Sequence, residues 1–370
     1  MNRCPTCRAA YSDDAHFCTR DGTKLIAAAA TPVTSPAPAA AAPQAVAPAG
    51  WMSTPRSATV LGRAEPPRAD LHASLVDRTL DGRYQVVKKV GEGGMSFVYL
   101  ATDLATNERY AIKVLSAALS RDQNAMARLK REASVGMRLA HPNVCHIIRM
   151  GETQDGLVYV VMPFVDGEIL SDRSHRRGPM PLDEVVRFVS DIAAGLHVAH
   201  ELKIVHRDLK PENVMITTSA DGTEQAVVMD FGLAKERRAD AELQKLTATG
   251  IILGTPEFMS PEQLRGKVLD SRTDIYSLSL MTYEMLTGKL PFSGRTQQEV
   301  MIARLRHVPT PLREARPELG LPEAVERVLA RAMERSVDAR YSSAPEFAQA
   351  LRTAAVARPD SGVIGRLFGR

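Results

Sequence analysis

An α+β fold is predicted for the central part of this chain, and three observations predict it. Strand-like apolar runs come first, at Tyr84–Val90, Tyr110–Leu115 and Leu157–Met162. Helical spacing follows, with Val185, Val186, Val189, Ile192 and Leu196 on one face of the segment Leu182–Leu202. A composition of 44% hydrophobic and 24% charged residues is that of a globular protein. A length of 370 residues is long for one domain and short for three. The net charge of +4 is mild and does not by itself argue for nucleic acid or a membrane surface.

The first 26 residues read as a separate small unit. Cys4-Pro-Thr-Cys7 is a Cys-x-x-Cys knuckle, and a second knuckle begins at Cys18-Thr-Arg-Asp21. No apolar targeting stretch precedes these cysteines, so the expectation is a cytoplasmic protein in which metal binding is favoured over disulfides. The unit is similar to a zinc-ribbon-like module, with Asp21 where the fourth Cys is usual. Carboxylate oxygen ligates Zn²⁺, so Cys4, Cys7, Cys18 and Asp21 are candidate ligands, and His16 is the other candidate for the fourth place. The plainer alternative is a decayed ribbon that holds no metal. Residues 27–80 are rich in Ala and Pro, without periodicity, and are expected to be a flexible linker. No run has the roughly 20 apolar residues a membrane span needs.

From Tyr84 the elements follow in order. The strand Tyr84–Val90 leads into Gly91-Glu92-Gly93-Gly94-Met95-Ser96-Phe97-Val98-Tyr99. A Gly-rich hairpin lets backbone N–H groups approach phosphate without a Cβ in the way. A second strand follows it where a dinucleotide-binding fold would open a helix. The strand Tyr110–Leu115 carries Lys113. The helix expected over Gln123–Leu139 has an apolar face of Met126, Leu129, Ala133 and Met137 and a single acid, Glu132. Cys145 falls in an apolar stretch read as a strand and as simply packed. The strand ending at Met162 leads to Pro163-Phe164-Val165.

The helix Leu182–Leu202 delivers the chain to His206-Arg207-Asp208-Leu209-Lys210-Pro211-Glu212-Asn213. Eight residues thus contain a carboxylate, a cation and an amide. Phosphoryl transfer needs such a set: a carboxylate to take the attacking hydroxyl's proton, oxygen ligands for Mg²⁺, and cations over the phosphates. Asp230-Phe231-Gly232 follows a buried strand, where a bare carboxylate is expensive unless it meets a cation. Each motif alone has a plainer reading as a polar turn or a strand end. Their order along one chain discriminates.

That order resembles the eukaryotic-like serine/threonine protein kinases of bacteria, over residues 84–351, with a short basic tail at 352–370. The resemblance implies a bilobal protein kinase fold, a small antiparallel β-sheet lobe and a larger helical lobe with ATP in the cleft. It implies ATP contacts at Val90, Gly91, Glu92, Gly93, Gly94, Met95, Ser96, Val98 and Ala111, and at Lys113 set by Glu132. Met162 is the implied gatekeeper, with Pro163 and Val165 at the adenine. Ser96 stands where a third Gly is usual, and Pro163 where Glu is frequent. Asp208 is the implied base, Lys210 and Thr255 its companions, and Asn213 and Asp230 the implied Mg²⁺ ligands, with Mn²⁺ as a substitute ion. Thr247 and Thr249 are implied autophosphorylation sites, able to pair with Arg207. Asp274 is expected to brace the catalytic loop and Arg340 to pair with Glu262. The function implied is phosphorylation of protein Ser or Thr hydroxyls, with homodimers forming during autophosphorylation. The rival readings are a pseudokinase and an adaptor acting through a protein partner of the N-terminal ribbon.

Overall fold

The computed structural model describes residues 2–3, 10–11, 26–27, 75–93, 96–115, 126, 130, 133–134, 136–153, 156–231 and 256–357. The chain divides into two units, residues 1–64 and 65–370. In the first, β1 (Asn2–Arg3) lies between β2 (Ala10–Tyr11) and β3 (Ile26–Ala27), antiparallel to both. Cys4, Cys7, His16, Cys18 and Asp21 lie outside the described residues.

The second unit opens on six antiparallel strands. These are β4 (Thr79–Leu80), β5 (Tyr84–Gly93), β6 (Ser96–Asp103), β7 (Arg109–Leu115), β8 (Arg149–Glu152) and β9 (Val158–Pro163), in the order β4-β5-β6-β7-β9-β8. Side chains alternate across a strand, and the sequence uses both sides. Ile112, Val114, Tyr159 and Val161 join Tyr84, Val86 and Tyr99 in one apolar cluster. Ala111, Leu115, Val158, Val160 and Met162 join Met126, Ala133 and Cys145 in another. Lys113 falls between Ala111 and Leu115, on the side of the second cluster.

Two expectations change here. Cys145 is buried as expected, but no strand contains it; its N–H donates to Val228 O at 2.9 Å from an extended loop. Met137, assigned to an apolar helix face, is 42% exposed, because the chain has already turned there.

The larger lobe carries a three-stranded sheet, β10 (Gly167–Ile169), β11 (Val214–Thr218) and β12 (Glu224–Val228). Its helices are α1 (Leu170–Arg177), α2 (Leu182–Glu201), α3 (Pro261–Leu264), α4 (Arg272–Thr287), α5 (Gln297–Arg306), α6 (Leu312–Ala315), α7 (Glu323–Ala332) and α8 (Ala344–Val356). Helix α2 buries the predicted face, Val185, Val189, Ile192 and Leu196, with Phe188. A Cβ on its Gly195 would lie 2.7 Å from Asn143 O, so glycine lets the loop before Cys145 touch the helix backbone. That loop in turn pairs with β12 through Val228 N–H to Asn143 O at 2.9 Å. Helix α4 is buried on nearly every side and is the axis of the lobe. It ends at Gly288, whose φ of 69° closes the helix in the left-handed region.

Candidate active site

The loop after α2 is held from beneath by α4. Asp274, fully buried, accepts from His206 N–H at 2.8 Å and Arg207 N–H at 2.9 Å, and its Oδ2 lies 2.8 Å from His200 Nε2. The carboxylate thus meets donors on both oxygens, which lets it sit buried. Arg207 has φ of 64°, a left-handed conformation costly for a residue with a Cβ, and the hydrogen bond from its N–H to Asp274 helps hold it there. The His206 ring is buried, with Nε2 2.9 Å from Met229 O, Nδ1 accepting from Asp208 N–H at 3.3 Å, and an edge contact to Phe231 at 4.8 Å. These two bonds require the tautomer with hydrogen on Nε2.

Asp208 therefore leaves a fixed backbone. Asn213 Nδ2 donates to Asp208 O at 2.7 Å and to Asp208 Oδ2 at 2.8 Å. A short 3-10 turn, Pro211–Asn213, brings the amide back, and Met229 N–H to Asn213 O at 2.8 Å ties it to the end of β12. With Nδ2 turned to Asp208, Asn213 Oδ1 points the other way as a hard oxygen donor. Lys210 Nζ lies 3.9 Å from Asp208 Oδ2. Asp230, two residues past β12, has φ of 52°, and its Oδ1 lies 2.6 Å from Lys113 Nζ. This ion pair joins the sheet lobe to the helical lobe across the cleft. Lys113 reaches it because β7 pairs with β6 and β9 in the register Val98↔Lys113↔Val160.

Above this pair the wall is apolar. Val98, Ala111, Met162, Phe164, Val165 and Met229 all belong to one cluster with Cys145. Burial pushes the Cys145 thiol up to about 12, so it stays protonated, and its Sγ contacts Pro163 O at 3.6 Å. The hairpin beside it pairs Gly91 with Val98 and Gly93 with Ser96, after two irregularities in β5. Val90 is exposed, and Glu92 pairs with Lys89 at 2.5 Å. The residues present fit a nucleotide: an apolar slot for a planar base, a cation below it, and carboxylate and amide oxygens for a hard divalent ion.

The stretch 260–263, at the start of α3, is also pinned. Ser260 caps α3 in a reciprocal capping box with Gln263, and Glu262 pairs with Arg340 at 2.7 and 2.8 Å while accepting from Thr273 Oγ1 at 2.8 Å. Burial works against the Glu262 charge, and Arg340 still holds its carboxyl below the ordinary carboxylate range. The expected roles of Asp274 as a brace and Arg340 as the partner of Glu262 agree with this geometry. Gln263 was not expected: its Nε2 donates to Arg207 O at 2.7 Å. Its signal was present, since Ser260-x-x-Gln263 is a capping pattern, but the reach to Arg207 has no local trace. Gly94, Met95, Glu132, Thr247, Thr249 and Thr255 lie outside the described residues.

The protein kinase domain family matches residues 84–352. Among curated relatives, serine/threonine-protein kinase pkn3 of Myxococcus xanthus is 36% identical over 272 residues, 74% of this chain and 50% of that protein. Serine/threonine-protein kinase PknB of Mycobacterium tuberculosis is 38% identical over 272 residues, 72% of this chain and 42% of that protein. The chain thus spans half or less of the length of these relatives. Among solved structures, the kinase domain of Mycobacterium tuberculosis PknI superposes with a TM-score of 0.58 at 29% identity, over 75% of this chain and 98% of that one.

Proposed function

The chain belongs to the protein kinase domain family, and from that premise we propose that it transfers the γ-phosphoryl group of ATP to Ser or Thr hydroxyls of proteins. The observation that carries this reading is two polar pairs, Asn213 with Asp208 at 2.8 Å and Lys113 with Asp230 at 2.6 Å, the first on a loop braced by Asp274. In the reaction the acceptor oxygen bonds the γ-phosphorus, its proton passes to the Asp208 carboxylate, and the bond from phosphorus to the β–γ bridging oxygen breaks as ADP leaves. Asp208 orients the hydroxyl and takes the proton. Lys210, beside Asp208, neutralises charge on the group in transit. Lys113 exchanges Asp230 for the α- and β-phosphates, with Glu132 as its next partner. Asp230 and Asn213 Oδ1 would hold the divalent ion, Mg²⁺ or Mn²⁺, which when bound would screen phosphate charge. Val98, Ala111, Met162, Pro163 and Val165 receive the adenine, and the β5–β6 hairpin covers the phosphates.

Thr247 and Thr249 are the proposed autophosphorylation sites, modified within a transient homodimer, and Thr255 the companion of Asp208. A pseudokinase is disfavoured because Lys113, Asp208 and Asp230 are all present. The N-terminal unit is read as a Zn²⁺-binding recruitment module for a protein partner. Its support is that β1 and β2 bracket Cys4 and Cys7, and β2 and β3 bracket Cys18. Among the described residues no helix is long and apolar enough to cross a membrane, and a cytoplasmic location is proposed.

The test is ATP-dependent autophosphorylation of the full chain beside Asp208→Ala, with sites mapped by mass spectrometry. Phosphate on Thr247 or Thr249 in the wild type alone is the expected result. No incorporation with either Mg²⁺ or Mn²⁺ overturns the reading.

A further inference from the structure

Helix α5 carries an arginine that the reaction above does not use. Arg304 is only 1% exposed, although its helix lies at the lobe's surface with Ile302 half exposed. Burial works against its charge, yet the side chain is turned inward. Its Nη2 donates to Glu257 O at 2.6 Å and its Nη1 to Met259 O at 2.9 Å. Between them, Ser277 Oγ of α4 donates to Phe258 O at 2.8 Å. Three successive carbonyls, those of residues 257, 258 and 259, are thus gripped from two helices.

The gripped strip leads straight to the catalytic loop. It runs through Ser260, which caps α3, to Gln263, whose Nε2 holds Arg207 O at 2.7 Å. Arg207 directly precedes Asp208. One flank of Asp208 is already assigned: Asn213, Asp230 and Lys113 form the phosphate side. The strip 256–263 shares no residue with that side and meets the loop through Arg207. We infer that Arg304, with Ser277, is a positioning residue for the acceptor protein: it fixes the strip along which the acceptor hydroxyl is brought to Asp208. A planar guanidinium spans two carbonyls at once, which a lysine cannot reproduce. The inference rests on the kinase reading and deepens it.

The experiment uses the full chain, a library of serine- and threonine-containing peptides from which the best acceptor is taken, and a fluorescent ATP analogue. For Arg304→Lys, kcat/KM for the peptide is expected to fall about tenfold or more, as for loss of one charge-assisted bond, while affinity for the ATP analogue stays within about twofold. Ser277→Ala removes the middle bond, with a longer one at 3.3 Å to Thr273 O inside α4, and is expected to show the same split at a smaller size. It keeps the test open if Arg304→Lys folds poorly. A general structural role would lower both quantities together, and that result overturns the inference. So does an unchanged peptide kcat/KM in folded Arg304→Lys and Ser277→Ala. A wild type that phosphorylates no peptide and not itself overturns the kinase reading, and this inference with it.

Discussion

Replacing Asp274 by Asn changes one atom and makes a sharp test of how the catalytic loop is held. The carboxylate receives three donors: His206 N–H and His200 Nε2 on Oδ2, and Arg207 N–H on Oδ1, all within 2.9 Å. Asparagine has one acceptor oxygen. Placed at Oδ2, it keeps the first two bonds and sets an NH₂ donor against the Arg207 N–H. One buried N–H then lacks a partner, at about 1–3 kcal/mol. The two surviving bonds lose their charge assistance, at roughly 1 kcal/mol each. The sum is about 3–5 kcal/mol, or a fall in Tm of about 6–20 °C for a domain of this size. The kinetic loss is expected to be larger in proportion, because Arg207 sits in a left-handed conformation that this bond helps maintain. A shift of Asp208 by an ångström costs on the order of 100-fold in kcat. Thermal denaturation and initial rates of phosphate transfer are the two measurements. An Asp274→Asn protein with Tm within about 2 °C and kcat within about twofold of wild type would refute the reasoning.

Two further outcomes follow from buried charge in the same lobe. Glu284 is pushed up to about 7 by burial first, and then by Glu212 and Glu257. A carboxyl raised above its unfolded value gives its full contribution below the unfolded pKa and loses it as pH rises through about 7. Glu284→Gln is therefore expected to be about 2–3 kcal/mol more stable than wild type at pH 8, with the difference closing towards pH 4.5; denaturant midpoints across this range check it, and a difference independent of pH refutes it. Arg340→Met leaves the buried Glu262 carboxylate with Thr273 alone among these partners and is expected to destabilise by about 3–5 kcal/mol. Adding Glu262→Leu is expected to recover most of that loss, and a double variant as unstable as the single one refutes the account.

The local motifs were legible because they are short and their chemistry is carried by adjacent residues. The strands around Lys113, the face of α2 and the His206–Asn213 loop all declare themselves by spacing. Long reaches are less visible. Nothing near Gln263 or Arg207 reports a bond across 56 residues. Arg304 sits in a helix with Arg306, and a sequence gives no sign that one of the two is buried. Cys145 illustrates the opposite error: an apolar run was read as a strand, whereas it makes only an isolated bridge to Val228, which accepts from Cys145 N–H and donates its own N–H to Asn143 O. Met137 keeps helical spacing but falls after the helix has turned, so periodicity outlasted the element. The ion pair of Lys113 with Asp230 joins residues 117 apart and depends on the closure of two lobes, which no local pattern encodes.

The brace at Asp274 also has a consequence for how the protein is made. Asp274 enters the growing chain 67 residues after Arg207. At about 5–20 residues per second, that is a lag of roughly 3–13 seconds during which the loop exists without its seat. In that interval the backbone donors of His206 and Arg207 have no carboxylate to meet, and the left-handed turn at Arg207 lacks that support. A nascent chain already holding Lys113, Asp208 and Asp230 is therefore without a formed catalytic loop until α4 has left the ribosome. Under the proposed function, phosphate transfer is in this way postponed until the lobe is nearly complete, and any product truncated before Arg272 retains the proposed reactive residues without this means of aligning them.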